Sequence, residues 1–221
     1  MLEFLLIIIV LFFSVMVHEY AHGLVALFFG DDTAKRAGRL SLNIARHIDL
    51  VGTIIVPLIL LSFYLMSGSG VIFGWAKPVP VSAHNLRNPA RDYTLVSLAG
   101  PLSNILLAFA FALVWALLAM ISLQTSAILF VARFICFIGV KINIILAVFN
   151  LIPIPPLDGS HLVSYLLPYR LSVRYRKIAR YGILIIFLLI LTDTLQYPFL
   201  LADHLSRAIL DCMYRVGSFL G

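Results

Sequence analysis

Three ionisable residues stand close together in the first apolar segment of the chain. His18 and His22 flank Glu19 in the pattern H-E-x-x-H. On an α-helix, residues four positions apart lie one turn apart on the same face, so both imidazoles can bind one Zn²⁺. Glu19 is rotated away from them and can act as general base on a water at that ion. Each such group costs on the order of 2.5–3.5 kcal/mol in an apolar segment unless it has a polar partner. The pattern therefore favours a zinc site over two histidines paired with a glutamate.

Two imidazoles leave a zinc ion short of at least one protein ligand. Among the remaining acidic and imidazole side chains, Asp158 is the best candidate. It follows Pro155 and Pro156 and precedes Gly159, so it lies in a sharp turn where an apolar helix has just ended. It also falls on the same face of the membrane as the end of the first helix that carries the histidines. The alternative is that Asp158 caps the helix that follows it.

Polar side chains inside the later apolar segments are candidates for a supporting role. Asn104 and Asn150 each place an amide near the inner half of an apolar helix, where an N–H could stabilise the oxyanion of amide hydrolysis. Hydrogen bonding between helices, with no part in catalysis, is the alternative for both residues. His161, three residues after Asp158, is expected to support the site rather than to bind the metal.

The composition limits the class of protein that can hold such a site. Of 221 residues, 62% are hydrophobic and 12% are charged, whereas soluble domains carry about 25% charged residues. The sequence thus excludes a soluble globule and predicts an all-α polytopic membrane protein. The net charge of +6 is dispersed between apolar segments, which fits loops at an anionic leaflet and not a nucleic-acid site.

Apolar segments predict about four transmembrane helices, at residues 1–29, 93–123, 127–150 and 181–201. Residues 51–66 are short for a span and contain Pro57. If residues 51–72 enter and leave on one side, the basic loops share that side, so we predict a re-entrant segment and an external N-terminus. From Asp203 onward an amphipathic C-terminal helix is expected to lie on the membrane, with an apolar stripe of Ile209, Cys212, Met213, Val216 and Leu220.

Two segments have an extended pattern and predict a small β element near the active site. Residues 38–43 alternate in polarity, and residues 73–81 contain Pro78 and Pro80. A substrate helix must unwind before a metal site can reach its peptide bonds. An edge of this element would pair with the unwound substrate by strand addition. The alternative is a sheet that only closes the cavity.

Four motifs together resemble the site-2 protease family of intramembrane zinc metalloproteases. They are HEYAH at 18–22, FGWAKPVPV at 73–81, AGPLSN at 99–104 and NLIPIPPLDG at 150–159. The resemblance covers about residues 10–165 and is closest to the compact prokaryotic branch, without PDZ or CBS domains. It implies that His18, His22 and Asp158 hold one zinc ion per chain and that Glu19 is the catalytic base. It also implies that Asn104 and Asn150 line the active site.

The resemblance further implies cleavage of transmembrane segments of membrane proteins or peptides near the cytoplasmic side. The expected location is the prokaryotic inner membrane, with the active site towards the cytoplasm and the lipid bilayer as a partner. We expect a single membrane-embedded domain over residues 1–221, with its core at about 10–165 and C-terminal helices at 178–221. The competing interpretation is a metal-cation transporter with intramembrane His and Asp ligands, which usually shows repeat symmetry that this sequence lacks. A scaffold with structural zinc is disfavoured because such sites need more cysteine ligands. The sequence predicts neither the oligomeric state nor the substrate.

Overall fold

A computed structural model describes residues 2–41, 77–120 and 126–220, together with isolated positions between 43 and 62. Within these residues the chain is mostly helical. The described α-helices are, in chain order, α1 (Leu2–Phe28), α2 (Thr33–Arg36), α3 (Pro89–Ala119), α4 (Ala127–Asn150), α5 (Gly159–Leu166), α6 (Tyr169–Lys177), α7 (Gly182–Leu191) and α8 (Gln196–Leu220).

The apolar runs of the sequence become the long helices. Helices α1, α3 and α4 are each long and apolar enough to cross a membrane, and the bent pair formed by residues 169–191 and α8 would make a fourth span. The helices predicted at 1–29, 93–123 and 127–150 are thus present. The predicted re-entrant segment at 51–72 lies almost wholly outside the described residues, so it stays a prediction.

Helix α1 ends in a Schellman motif built on Gly30. The Gly30 N–H donates to Leu27 O at 3.1 Å, and the Asp31 N–H donates to Ala26 O at 2.9 Å. Gly30 has φ +106, a left-handed conformation that side-chain-bearing residues rarely adopt. This turn fixes where the chain leaves α1 and brings Asp31 back against the bundle.

Small residues allow α3 to approach its neighbours closely. Ala108, Ala112 and Ala116 recur every four residues along α3 and are buried. Ala108 and Ala112 form one core cluster with residues of α4 and α8. Asn104 continues the same stripe one turn earlier, because its position is four residues before Ala108. The stripe therefore leads directly to the end of the bundle where the histidines lie.

The predicted helix at 181–201 is not one continuous helix. The structure ends α7 at Leu191 and begins α8 at Gln196, with a bend of 77° between the two halves of the pair. Asp193 adopts φ +52, and the Thr192 hydroxyl donates to Leu188 O at 2.9 Å. Polar side chains that bond to nearby backbone groups interrupt the helix here.

The predicted C-terminal amphipathic helix is present as α8, and part of its apolar stripe packs on the bundle. Ala202 and Leu210 are buried in the cluster that α8 shares with α3 and α4. Ile209 and Met213, from the predicted membrane-facing stripe, pack against the same cluster. Cys212 and Val216 of that stripe are exposed, so its placement at the membrane surface stays a prediction.

The predicted small β element is not seen among the described residues. Residues 38–41 form turns instead, since Gly38 has φ +65 and the Arg39 N–H donates to Ala34 O at 2.9 Å. Residues 77–82 are irregular, and Pro78 and Pro80 have no N–H to donate to a sheet. Positions 42 and 73–76 of the predicted strands lie outside the described residues.

Candidate metal centre

Helix α1 places the two histidines of the H-E-x-x-H pattern together. The imidazole rings of His18 and His22 meet edge to face, with centroids 4.7 Å apart. Their Nε2 atoms are 3.1 Å apart, and both residues are buried. The one-turn spacing on a regular helix is sufficient to produce this pair.

Asp158 completes the cluster from the far end of the sequence. Its Oδ2 atom lies 3.1 Å from Nε2 of His18 and 3.5 Å from Nε2 of His22. It stands at the N-cap position of α5, but its side chain makes no capping hydrogen bond. Among the described residues these three side chains form a group that could hold a metal ion. The structure thus brings together the three residues that sequence analysis selected as ligands.

Hydrogen bonds to the other ring nitrogens determine which atoms face the cluster. Nδ1 of His22 lies 2.7 Å from the carbonyl oxygen of Val96, which can only accept, so Nδ1 carries the proton. Nδ1 of His18 lies 2.6 Å from Oδ1 of Asn104, also an acceptor. In neutral imidazoles this assignment leaves both Nε2 atoms with lone pairs directed at Asp158.

The arrangement fits a zinc ion. Three acceptor atoms converge, and within the described part of the chain Asp158 Oδ2 is buried without a hydrogen-bond partner. Three converging lone pairs are unfavourable unless a metal cation or a proton lies between them. Ligand atoms about 2.0–2.1 Å from a tetrahedral zinc are about 3.3 Å apart, and imidazole nitrogen with carboxylate oxygen is a common zinc ligand set. The three separations of 3.1, 3.1 and 3.5 Å match that spacing.

Gly100 on α3 provides the room for this cluster. A Cβ atom at this position would lie 2.5 Å from Nε2 of His18 and 2.5 Å from Nε2 of His22. Any side chain here would therefore displace the imidazoles, which explains a glycine inside a long helix despite its conformational cost.

Glu19 lies on α1 between the ligands and is held from a distant segment. The backbone N–H of Val79 donates to Oε2 of Glu19 at 2.8 Å. A hydrogen bond from a backbone amide fixes one carboxylate oxygen without transferring a proton to it. The irregular segment at 77–82 thus positions the candidate base.

A buried carboxylate secures that segment to the end of α1. Asp31 is fully buried and accepts hydrogen bonds from Ser82 N at 2.6 Å, from Asn85 Nδ2 at 3.0 Å, and from both the backbone N–H and the hydroxyl of Thr33. Burial alone raises the pKa of Asp31, but the hydrogen bonds from Thr33, Asn85 and Ser82 outweigh it and lower the pKa below its usual value. Asp31 is therefore a structural anchor for the segment that holds Glu19.

Asn104 faces the ligands, but both its amide oxygen and its amide nitrogen already form hydrogen bonds within the protein. Oδ1 accepts from His18, and Nδ2 donates to Oδ1 of Asn143 at 2.8 Å. Asn143 is buried in α4 and was not selected from the sequence. The available signal was its spacing, because Asn143 lies seven residues before Asn150 on one apolar helix, and so on the same face.

Asn150 and His161 lie near the turn that carries Asp158. Nδ2 of Asn150 donates to Leu146 O at 2.9 Å, within its own helix, so this bond does not link it to the ligands. The His161 ring meets the ring of Tyr93 edge to face at 4.8 Å. Neither His161 nor Asn150 belongs to the group formed by His18, His22 and Asp158.

Fold and site together define a class. The chain is a multi-pass helical membrane protein that encloses a buried His–His–carboxylate cluster next to a glutamate.

Comparison with known proteins narrows this class to a family. The profile of Peptidase family M50 matches residues 116–191, which include Asp158. "Putative zinc metalloprotease YwhC" of Bacillus subtilis is 36% identical over 191 residues, covering 86% of this chain and 82% of the relative. "Putative zinc metalloprotease Rip2" of Mycolicibacterium smegmatis is 29% identical over 196 residues, covering 87% and 69%. No solved structure matches the chain.

The chain belongs to Peptidase family M50, the site-2 proteases, and is a metalloprotease. The family resemblance drawn from the four sequence motifs is thereby confirmed.

Proposed function

We propose that this chain is an intramembrane zinc protease that hydrolyses peptide bonds within or near the transmembrane segments of other proteins. His18, His22 and Asp158 would hold one zinc ion. The observation that carries this proposal is the convergence of three acceptor atoms, the Nε2 atoms of both histidines and Oδ2 of Asp158, at separations of 3.1–3.5 Å. The Nδ1 protons of both histidines point away from this cluster, to other acceptors. The names of the relatives, which specify zinc, support the choice of metal.

Glu19 is the general base in this proposal. When bound, a zinc ion supplies Lewis acidity, which polarises a carbonyl and lowers the pKa of a water at the site. The Glu19 carboxylate takes the proton of that water and delivers it to the leaving amide nitrogen. The Val79 N–H holds Oε2 of Glu19, so the carboxylate keeps one orientation through both transfers.

The position of the cluster along α1 supports cleavage inside the membrane. His22 lies eight residues before Gly30, which corresponds to about 12 Å along a helix axis. The ligands are therefore set below the loops that follow α1 rather than at the helix end. We place these loops on the cytoplasmic side of the prokaryotic inner membrane, because they carry the basic residues.

Substrate must be extended to reach this site, because a helical peptide bond has its carbonyl occupied. Residues 77–82 lie beside Glu19 and offer a surface for such a strand. Pro78 and Pro80 have no N–H, and the N–H of Val79 is used by Glu19. Pairing at this stretch would therefore use its carbonyl oxygens as acceptors for substrate N–H groups.

Reconstitution tests the proposed function. The purified chain is placed in lipid vesicles with a single-span model substrate, and the products are mapped by mass spectrometry. We expect a cut within or near the span, loss of cleavage on chelation, and recovery with Zn²⁺. Zinc flux is measured in the same vesicles. Chelator-insensitive cleavage, or zinc transport without cleavage, would contradict the proposal.

A further inference from the structure

A chain of buried hydrogen bonds runs from α4 through α3 to the first candidate ligand on α1. Nδ2 of Asn143 donates to Oγ of Ser14 at 2.9 Å and to Gly139 O at 2.8 Å. Oδ1 of Asn143 accepts from Nδ2 of Asn104 at 2.8 Å. Oδ1 of Asn104 in turn accepts from Nδ1 of His18 at 2.6 Å.

The direction of these bonds is fixed at the end remote from the metal. The Gly139 carbonyl can only accept, and the Ser14 hydroxyl already donates its proton to Val10 O at 2.8 Å. Nδ2 of Asn143 must therefore face these two groups, which turns its Oδ1 towards Asn104. An oxygen at this position requires the NH₂ group of Asn104, which also donates to Ser14 O at 3.4 Å, and so places Asn104 Oδ1 against His18.

The amide orientation of Asn104 decides the tautomer of His18. With Oδ1 against the ring, His18 carries its proton on Nδ1 and presents the Nε2 lone pair to Asp158. A reversed amide would offer an N–H to Nδ1 and move the ring proton to Nε2, where a metal binds. A metal-binding nitrogen has to be unprotonated, so this reversal would oppose binding.

We propose that Asn143 is a positioning residue of the metal centre, which acts through Asn104 to keep the Nε2 atom of His18 free for zinc. The inference rests on the proposed metal role of His18. Asn143 touches neither a ligand of the metal nor the reacting atoms. Its effect is confined to the orientation of one amide and the tautomer that follows from it.

Zinc affinity of the full chain in detergent micelles tests the inference. Each variant is titrated with Zn²⁺ against a competing chelator. Asn143→Leu keeps the approximate size but removes the acceptor, and we expect it to weaken binding by at least about 10-fold. Asn143→Asp retains an acceptor oxygen and should bind more tightly than the leucine variant. Ser14→Ala, the mildest change, should give a smaller loss, because Gly139 O still accepts.

Val140→Ala is the matched control. Val140 is fully buried one turn before Asn143 on α4 and packs in the core cluster away from the histidines. It should lower thermal stability without a comparable loss of zinc affinity. Equal losses in Val140→Ala and Asn143→Leu would overturn the positioning role, because general loosening of α4 would then explain both.

The tautomer of His18 provides a second readout, independent of activity. In metal-free protein with ¹⁵N-labelled histidine, NMR should show His18 protonated at Nδ1 in the native chain and a shift towards Nε2 in Asn143→Leu. An unchanged tautomer and native zinc affinity in Asn143→Leu, with binding lost in His18→Ala, would overturn this inference alone. Native zinc affinity in His18→Ala would overturn the proposed metal site itself.

Discussion

The backbone N–H of Val79 lies 2.8 Å from Oε2 of Glu19, which is 60 positions earlier in the sequence. The H-E-x-x-H pattern supplies the glutamate, but its orientation comes from an irregular segment that Asp31 anchors through Ser82 and Asn85. Helix α1 thus carries the two histidines and Glu19, while the segment at 77–82 orients the Glu19 carboxylate.

Replacing Glu19 with glutamine should separate catalysis from metal binding. Glutamine keeps the size and can still accept from Val79, but it cannot take a proton from water. We expect cleavage of the model substrate to fall by about 10²–10⁴-fold, the usual contribution of a general base, with zinc content unchanged. Metal analysis and turnover are measured on the same preparation. A Glu19→Gln chain that cleaves at the native rate would exclude Glu19 as the base.

Adding a methyl group at Gly100 should damage the metal site. A Cβ there would meet both Nε2 atoms at 2.5 Å, so we expect Gly100→Ala to weaken zinc binding by roughly 10–100-fold, as when ligand orientation is disturbed. Ala116→Val is a suitable control, since it adds volume at a buried position of the same helix, sixteen residues from Gly100. If the two variants bound zinc equally well, the close approach at Gly100 would have no bearing on the site.

Zinc removal should lower the thermal stability of the native chain. A ligand that binds only the folded state at about 1,000 times its Kd stabilises by about 4 kcal/mol. For a chain of this size this corresponds to a Tm shift of roughly 8–16 °C. Chelation should produce such a shift in the native chain and almost none in Asp158→Ala. A similar shift in the Asp158→Ala variant would mean that zinc stabilises the protein from another site.

The anchoring role of Asp31 predicts a stability difference that depends on pH. Its folded-state pKa is below the unfolded value of about 3.9, so the carboxylate stabilises the fold above that pH, and the stabilisation is lost as the pH falls through the folded-state pKa. Loss of charge-assisted hydrogen bonds worth about 2 kcal/mol should lower the Tm of Asp31→Asn by roughly 4–8 °C at pH 7. The difference from the native chain should narrow as the pH falls below the unfolded value of about 3.9.

The neighbouring aspartate provides the control for this measurement. Asp32 is half-buried and pairs with Arg36 at the surface at 2.7 Å, an arrangement that contributes little to stability. Asp32→Asn should therefore leave the Tm nearly unchanged at both pH values. A Tm difference for Asp31→Asn that stays constant between pH 7 and pH 3 would contradict the assigned charge state.

The three ligands could be predicted from the sequence because local sequence features place each of them. The one-turn spacing of His18 and His22 produces the pair on any helix, and the prolines before Asp158 produce the turn that exposes its carboxylate. The proximity of Asp158 to the histidines was expected because the number of spans and the shared side of the basic loops put both at the same face of the membrane. The geometry of the cluster agrees with that expectation.

Other features depend on contacts that local patterns do not encode. In the sequence, Asn143 cannot be distinguished from other polar residues in apolar helices. Its role follows from the packing of α3, which places Asn104 against it. The bend after Leu191 lies at the short polar stretch 192–194, which is too short to predict a 77° change of direction, and Asp193 there has φ +52. The apolar stripe with Ile209 and Met213 fits a membrane surface and a helix bundle equally well, since both bury it. Only the packing of α8 on α3 and α4 distinguishes these two environments.

Zinc X-ray absorption on the purified full-length chain tests most directly whether the ion is shared by His18, His22 and Asp158. We expect one zinc per chain, with two imidazole ligands and oxygen completing the shell at about 2.0–2.1 Å. The signal should disappear in His18→Ala at equal protein concentration. An unchanged spectrum and full zinc occupancy in His18→Ala would contradict the proposed metal centre, because the ion would then lie elsewhere in the molecule.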